Sequence, residues 1–212
     1  MIKDLFTTVQ FYTCQFLGYL KVPQQALLDL TLFYLYLLYY PSEKYRYEKA
    51  KTALPSTELT YGEISYASLL KALTLSKLCD RSIFVDLGCG KGKALFFVHQ
   101  LFQCRCVGVD IIPSYSQYAS IIIRKHAWEG VKCVHKDLFK AKFSRATHVL
   151  ISTTCFSKTR LIQAKKKLET LVKGSIIISV SNPIKGNSFI PITSFKGICS
   201  WGKTDIYIQK RA

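Results

Sequence analysis

The sequence predicts an α/β fold: a doubly wound, mostly parallel sheet that ends in a C-terminal antiparallel hairpin, preceded by an N-terminal helical extension. Three observations predict it. From about residue 60 onward, short apolar strand-like runs alternate with helical stretches. A turn bare of side chains, Gly88-Cys89-Gly90-Lys91-Gly92, joins the first of those strands to a helix. The last two strand-like runs follow one another with only "GK" between them. Strands separated by helices must run parallel, with both sheet faces covered. A two-residue connection can only join antiparallel neighbours.

The elements follow in order. Residues 1–50 stand apart as a hydrophobic helical extension. "LFTTVQFYTCQFLGYL" is apolar around most of a helix, and "ALLDLTLFYLYLLYY" (26–40) is almost wholly apolar up to Pro41. A spanning helix needs ~20 apolar residues, and this run has 15, with Pro23, Gln24, Gln25 and Asp29 interrupting it upstream or within. No small-residue cleavage site follows, which argues against a signal peptide. Three readings remain for this extension. They are a helical cap packed on the domain, an interfacial anchor with tyrosines and Lys44, Arg46, Lys49 and Lys51 at headgroup level, and a short spanning helix; the cap is the expectation.

Residues 55–212 form the second unit. "EISYASLLKALTLSKL" reads as a helix with Leu69, Leu70, Leu73, Leu75 and Leu78 toward one side. "SIFVDL", "CRCVGVD", "VKCVH", "THVLIST" and "SIIISVS" read as strands. "KGKALFFVHQLF", "SYSQYASIIIRKHAW" and "KTRLIQAKKKLETLVKG" are the helices between them. "FKGICSW" and "TDIYIQKR" make the closing hairpin.

Composition narrows the class. The chain has 212 residues, 49% hydrophobic and 20% charged, so it is globular and long enough for a real core. Its 30 Lys and Arg against 13 Asp and Glu give +17, which favours nucleic acid, anionic lipid or an acidic protein surface as partners. Eight dispersed cysteines without a CxxC pair, and four histidines without ligand spacing, point to a reduced, cytoplasmic setting without a metal site. The N-terminus leaves membrane association open.

In a doubly wound sheet the ligand lies over the first strand-to-helix turn. Glycines there let a ligand approach the backbone without meeting a Cβ. A phosphate loop needs a longer loop with a GK[ST] ending, and the dinucleotide fingerprint needs a third glycine where this chain has Lys93. The GxGxG spacing preceded by Asp86 instead resembles the first motif of class I methyltransferases that use S-adenosylmethionine. Asp110 ends the second strand, 24 residues after Asp86, where a carboxylate can take both ribose hydroxyls. Asp137, with Leu138 beside it, follows the third strand, where such enzymes commonly hold the adenine amino group. The loop after the fourth strand, "STTCFS", lacks the [DNS]PP[YF] pattern of base-amine methylation.

Four stretches resemble a narrower family. These are "LTYGEIS" (59–65), "FVDLGCGKGKA", "ATHVLISTTCFS" and "KGSIIISVSNPI", with the "CSWGKTDIYIQKR" ending. Together they resemble the seven-stranded histone-lysine methyltransferases of the disruptor-of-telomeric-silencing type and their small bacterial relatives, over about residues 55–210. The resemblance implies a methyltransferase that uses S-adenosylmethionine, with a protein lysine as acceptor. It implies that Tyr61 and Glu63 fold over the methionine end of the cofactor, Glu63 facing the ammonium group. Gly88, Gly90 and Gly92 would line the turn, Asp86 would brace it and Asp110 would take the ribose. Tyr61, Thr153 and Phe156 would surround the transfer, with Trp201 either an added wall of the acceptor channel or a hairpin-packing residue. Where the eukaryotic members carry paired asparagines, this chain has Ser152 and Thr153. Lys91 and Lys93 are expected to face solvent. So is the lysine-rich face of "KTRLIQAKKKLETLVK". Two alternatives stand beside this reading: an RNA or small-molecule methyltransferase of the same fold, and a non-catalytic cofactor-binding protein.

Overall fold

The computed structural model describes residues 2–39, 42–52 and 54–212, so Tyr40 and Pro41, the expected end of the second helix, lie outside it. Helices α1 (Ile2–Lys21), α2 (Pro23–Tyr39) and α3 (Ser42–Ala50) precede a 3₁₀ turn at Ser56–Leu59. Then come α4 (Tyr66–Leu75), β1 (Ile83–Leu87), α5 (Lys93–Phe102), β2 (Arg105–Asp110), α6 (Pro113–Lys125), β3 (Val131–His135), β4 (His148–Ser152), α7 (Lys158–Leu168), β5 (Ile176–Val180), β6 (Phe189–Cys199) and β7 (Gly202–Arg211).

The seven strands form one sheet in the order β3-β2-β1-β4-β5-β7-β6. The first five pair in parallel, and β7 runs antiparallel to both β5 and β6. The order reverses between β2-β1 and β4, which places the ligand crevice over the carboxyl ends of β1, β2 and β4. Both sheet faces are covered. Phe84, Leu95, Phe96, Phe97 and Ile122 are buried in the larger core, Val85, Val149, Ile151 and Ile177 in the smaller. Helix α4 starts at Ser65, whose hydroxyl accepts from the Ser68 N–H, and α7 starts at Ser157, capping Arg160 in the same way.

Two details of the closing hairpin differ from expectation. The register pairs Cys199 with Gly202 and Ile198 with Lys203, so the turn is Ser200-Trp201 and "GK" belongs to β7. In addition, β6 begins at Phe189, six residues before the expected start at Phe195, and an irregularity falls at Pro191/Thr193. Because β7 inserts next to β5, β6 is the edge strand. Most of its residues are exposed, so it carries little alternation to read, and an edge tolerates Pro191.

The N-terminal helices pack on the domain through an inner face that joins buried Phe11, Val22, Leu28, Leu32 and Tyr36 to a polar network. Gly18 meets Tyr66 so closely that a Cβ there would lie 2.1 Å from the Tyr66 Cβ. The Gln15 side chain accepts from the Tyr66 N–H at 2.8 Å. Asp29 accepts from the hydroxyls of Tyr19 and Tyr66 (2.8 Å each) and from the Gln25 amide at 2.9 Å. Among the described residues no helix is long and apolar enough to cross a membrane.

Candidate active site

A cavity of about 500 Å³ lies over the crevice, within the usual range for cofactor sites of ~300–1,000 Å³. The glycine turn forms its floor. Gly88 and Cys89 both donate to the Val109 carbonyl, at 2.8 and 3.1 Å. Asp110 holds the rest: Oδ2 accepts from the Gly90 N–H at 2.8 Å, and Oδ1 from the Ile112 N–H at 2.9 Å. Each oxygen keeps a second lone pair, and the carboxylate lines the cavity. Burial raises the Asp110 pKa, against which its backbone donors work.

Asp86 was expected to brace this turn, yet the bracing carboxylate is Asp110. Asp86 lines the cavity instead, and desolvation, with the Asp110 charge adding to it, pushes its pKa up to about 7. Gly88 has φ +87°, and a Cβ there would meet nothing within 4 Å, so its bare Cα faces open space. Gly90 has φ +50°, and a Cβ there would fall 2.7 Å from the Tyr61 ring. Gly92 serves another purpose. It starts α5 packed against Phe96 and Ala119, outside the cavity lining.

The segment around Tyr61-Gly62-Glu63 covers the turn. It is pinned to the β6–β7 turn by reciprocal bonds, Ser200 N–H to the Glu63 carbonyl (2.8 Å) and Glu63 N–H to the Ser200 hydroxyl (3.0 Å). Trp201 lies on Gly62, where a Cβ would come within 2.4 Å of its ring. Trp201 therefore packs the hairpin and also lines the cavity. The Tyr61 hydroxyl donates to Glu63 Oε1 at 2.6 Å, and burial, then the Glu63 charge, raises its pKa well above the ordinary range.

The two lysines of the turn do not face solvent as expected. Lys93 pairs with Glu63 at 2.8 Å and with Asp29 at 3.2 Å, and it lines the cavity. Burial works against its charge, but Glu63 and Asp29 outweigh burial and raise its pKa. Lys91 lies between the rings of Tyr36 (4.6 Å) and Tyr61 (4.9 Å), and burial lowers its pKa. Asp29, Gln15 and the pairing of Lys93 carried no motif in the sequence. Only the tertiary fold joins them.

At the acceptor side Phe156 lines the cavity, 6.3 Å from Phe139 and edge-on to it, with the Arg160 guanidinium 4.1 Å above Phe139. Arg160 is ion-paired with Glu58 at 3.2 Å, which ties α7 to the covering segment. Thr153, expected at the transfer site, is fully buried outside the cavity. Its hydroxyl donates to the Val180 carbonyl at 2.7 Å and accepts from the Asn182 N–H at 3.0 Å. Side chains alternate at the end of β4, so Ser152 and Thr154 line the cavity in its place. Their hydroxyls lie 3.2 Å apart, and the run continues through Ser181 (2.7 Å) to Thr204 (3.1 Å). Ser181, at φ +77°, directly follows β5. Asp137 and Leu138 line the far end, Asp137 closing its own turn by accepting from the Phe139 N–H at 2.8 Å.

This donor set fits an adenosyl amino acid better than a nucleotide. Five carboxylates (Glu58, Glu63, Asp86, Asp110, Asp137) line the cavity, and its two cations, Lys93 and Arg160, are already paired with the protein's own carboxylates. No phosphate clamp is offered. Among the described residues no cluster of His, Cys, Asp and Glu could hold a metal ion.

Comparison with known proteins agrees. The family model described as "Histone methylation protein DOT1" matches residues 44–207. The histone-lysine N-methyltransferase, H3 lysine-79 specific, of Cryptococcus neoformans is 25% identical over 149 residues, 63% of this chain and 23% of its own length. The chain thus spans under a quarter of the curated relatives it matches. Among solved structures, an RNA methyltransferase from Salinibacter ruber in complex with S-adenosyl-L-homocysteine superposes with TM-score 0.58 at 20% identity, covering 68% of this chain and 89% of that one. Geranyl diphosphate C-methyltransferase from Streptomyces coelicolor does so with TM-score 0.54 at 12% identity, covering 68% and 76%. At these identities the likeness establishes the fold, that of a class I methyltransferase.

Proposed function

The chain belongs to the DOT1 family of histone methylation proteins, and from that membership we propose that it is an S-adenosylmethionine-dependent protein-lysine N-methyltransferase. The observation that carries the proposal is the covering segment at the glycine turn. The Tyr61 ring rests on the bare Cα of Gly90, while Glu63 is held in the cavity beside Lys93.

Bound there, S-adenosylmethionine would supply a methyl carbon that an amine attacks in line, the broken C–S bond's electrons staying on the sulfur of departing S-adenosylhomocysteine. The chain's own residues do the positioning on which such a reaction depends. Asp110 accepts the ribose hydroxyls on its remaining lone pairs while keeping the turn in shape. Glu63 offers its charge to the ammonium of the amino-acid group, with Lys93 and the Tyr61 hydroxyl holding the Glu63 carboxylate in place. Asp137 and Leu138 receive the adenine. Tyr61 and Phe156 exclude water, and their ring faces attract the cationic centre. An acceptor lysine entering between these rings is desolvated, which lowers its pKa and favours the neutral nucleophile. Ser152 and Thr154 orient the amine by hydrogen bonds, and the product's proton leaves to water.

The test is incubation of the full chain with methyl-labelled S-adenosylmethionine and cell extract, followed by separate nuclease and protease digestion. Label released by protease supports the proposal. Label released only by nuclease would move the acceptor to RNA, which the +17 charge would also suit.

A further inference from the structure

The N-terminal helices are apolar on both faces. Inward, Phe11, Val22, Leu28, Leu32 and Tyr36 are buried beside Gln15 and Gln25, which are 3% and 0% exposed, and Asp29 joins the network with Tyr19, Tyr66 and Lys93. Their outward faces are apolar. Fourteen large hydrophobic side chains of α1 and α2, among them Phe6, Phe16, Leu27, Phe33 and Leu37, are each about half exposed or more. They recur at steps of three or four residues on each helix, so each forms one stripe. Together they expose on the order of 1,000 Å², against roughly 300–600 Å² for the largest apolar patch of a typical monomer.

Two independent features indicate what covers this surface. The Thr13 hydroxyl donates back to the Val9 carbonyl at 2.9 Å and that of Thr31 to the Leu27 carbonyl at 2.8 Å. Threonines beside the stripe thus satisfy themselves within the helix, as Thr74 does in α4, and add no donor in need of a partner to the apolar stripe. Charge supplies the second feature. From residue 5 to 39 the sole carboxylate is the inward Asp29, while exposed Lys21 lies at the bend and exposed Arg46 and Lys51 follow α2. A second copy of this chain, also at +17, would be repelled, whereas an anionic surface is attracted.

We propose that the outward faces of α1 and α2 lie in the interface of an anionic lipid bilayer, parallel to its plane, with Tyr12, Tyr34 and Tyr39 and the flanking basic residues at headgroup depth. The helices do not cross the bilayer. They seat the methyltransferase domain on its surface. The proposal is independent of the acceptor's identity.

Flotation of the full chain with phosphatidylcholine vesicles, with and without 30 mol% phosphatidylglycerol, tests it. The protein should float with the anionic vesicles and much less with the neutral ones. The double variant Phe16→Glu/Phe33→Glu should reduce the bound fraction at least tenfold, and Ile162→Glu, on exposed α7, should leave it unchanged. Thermal melts of the variants report that the fold persists, since all three positions are exposed. Failure of the wild-type chain to float, or equal flotation of the double variant, would overturn the proposal. So would a vesicle-free dimer in sedimentation equilibrium that the double variant dissociates, because the occupant would then be a second copy.

Discussion

Asp110→Asn separates the two tasks assigned to this carboxylate. In the folded protein Oδ2 and Oδ1 accept from Gly90 and Ile112 at 2.8 and 2.9 Å. An amide keeps one acceptor and turns an NH₂ toward the other donor, so one charge-assisted bond, about 1.5–3 kcal/mol, is lost. Part of that loss is recovered, because burial already disfavours the charged carboxylate and raises its pKa. Folding stability should therefore fall by no more than about 2 kcal/mol, a drop of roughly 4–8 °C in melting temperature for a chain of this size. Binding has no such compensation. One charge-assisted bond to a ribose hydroxyl disappears, worth about 1.5–3 kcal/mol, or roughly 10- to 150-fold in Kd. Titration calorimetry with S-adenosylmethionine, beside a thermal melt, reads both quantities. Affinity within twofold of wild type would refute the ribose role, and a collapse of the fold would show that the turn, and not the ligand, was the carboxylate's main load.

Three further outcomes are expected. Asp86 titrates near 7 in the folded chain against 3.8 ordinarily, so between those values the folded state binds the extra proton and stability falls as pH rises. The loss amounts to at most roughly 4 kcal/mol and levels off above pH 7, so urea unfolding of Asp86→Asn at pH 5 and pH 8 should show this slope removed. Thr153→Val should cost about 1–3 kcal/mol of stability through its buried partners while leaving cofactor Kd unchanged; a binding defect in calorimetry would return Thr153 to the site. Asp29→Ala strips Lys93 of one of its two carboxylates and two tyrosines of their acceptor, a loss of about 3–5 kcal/mol. Its melting temperature should drop by on the order of 10 °C, and a shift under 2 °C by circular dichroism would show the network to be dispensable.

What the sequence revealed and what it hid divide along physical lines. The parallel strands were legible because they are short, buried on both faces and bounded by turn residues, as in Phe84 to Leu87. The glycine turn was legible because its backbone demands glycine whatever surrounds it. The start of β6 was hidden because an edge strand has no buried face to impose alternation. Thr153 was misplaced because a one-residue step at a strand end reverses which side chain enters the cavity. Lys91 and Lys93 looked solvated because long cations usually are. Nothing local showed that Tyr36 would sit beneath one, or that Asp29, more than sixty residues upstream, would pair with the other. In the N-terminal helices the apolar content was plain, but that it would face both the domain and the outside was not.

The most direct measurement is acid hydrolysis and amino-acid analysis of protein labelled by the full chain from methyl-labelled S-adenosylmethionine, with Asp110→Asn in parallel. The assignment predicts label eluting as N-methylated lysine, strongly reduced with the variant. Label in another amino acid, or none while calorimetry shows the cofactor bound, would contradict it.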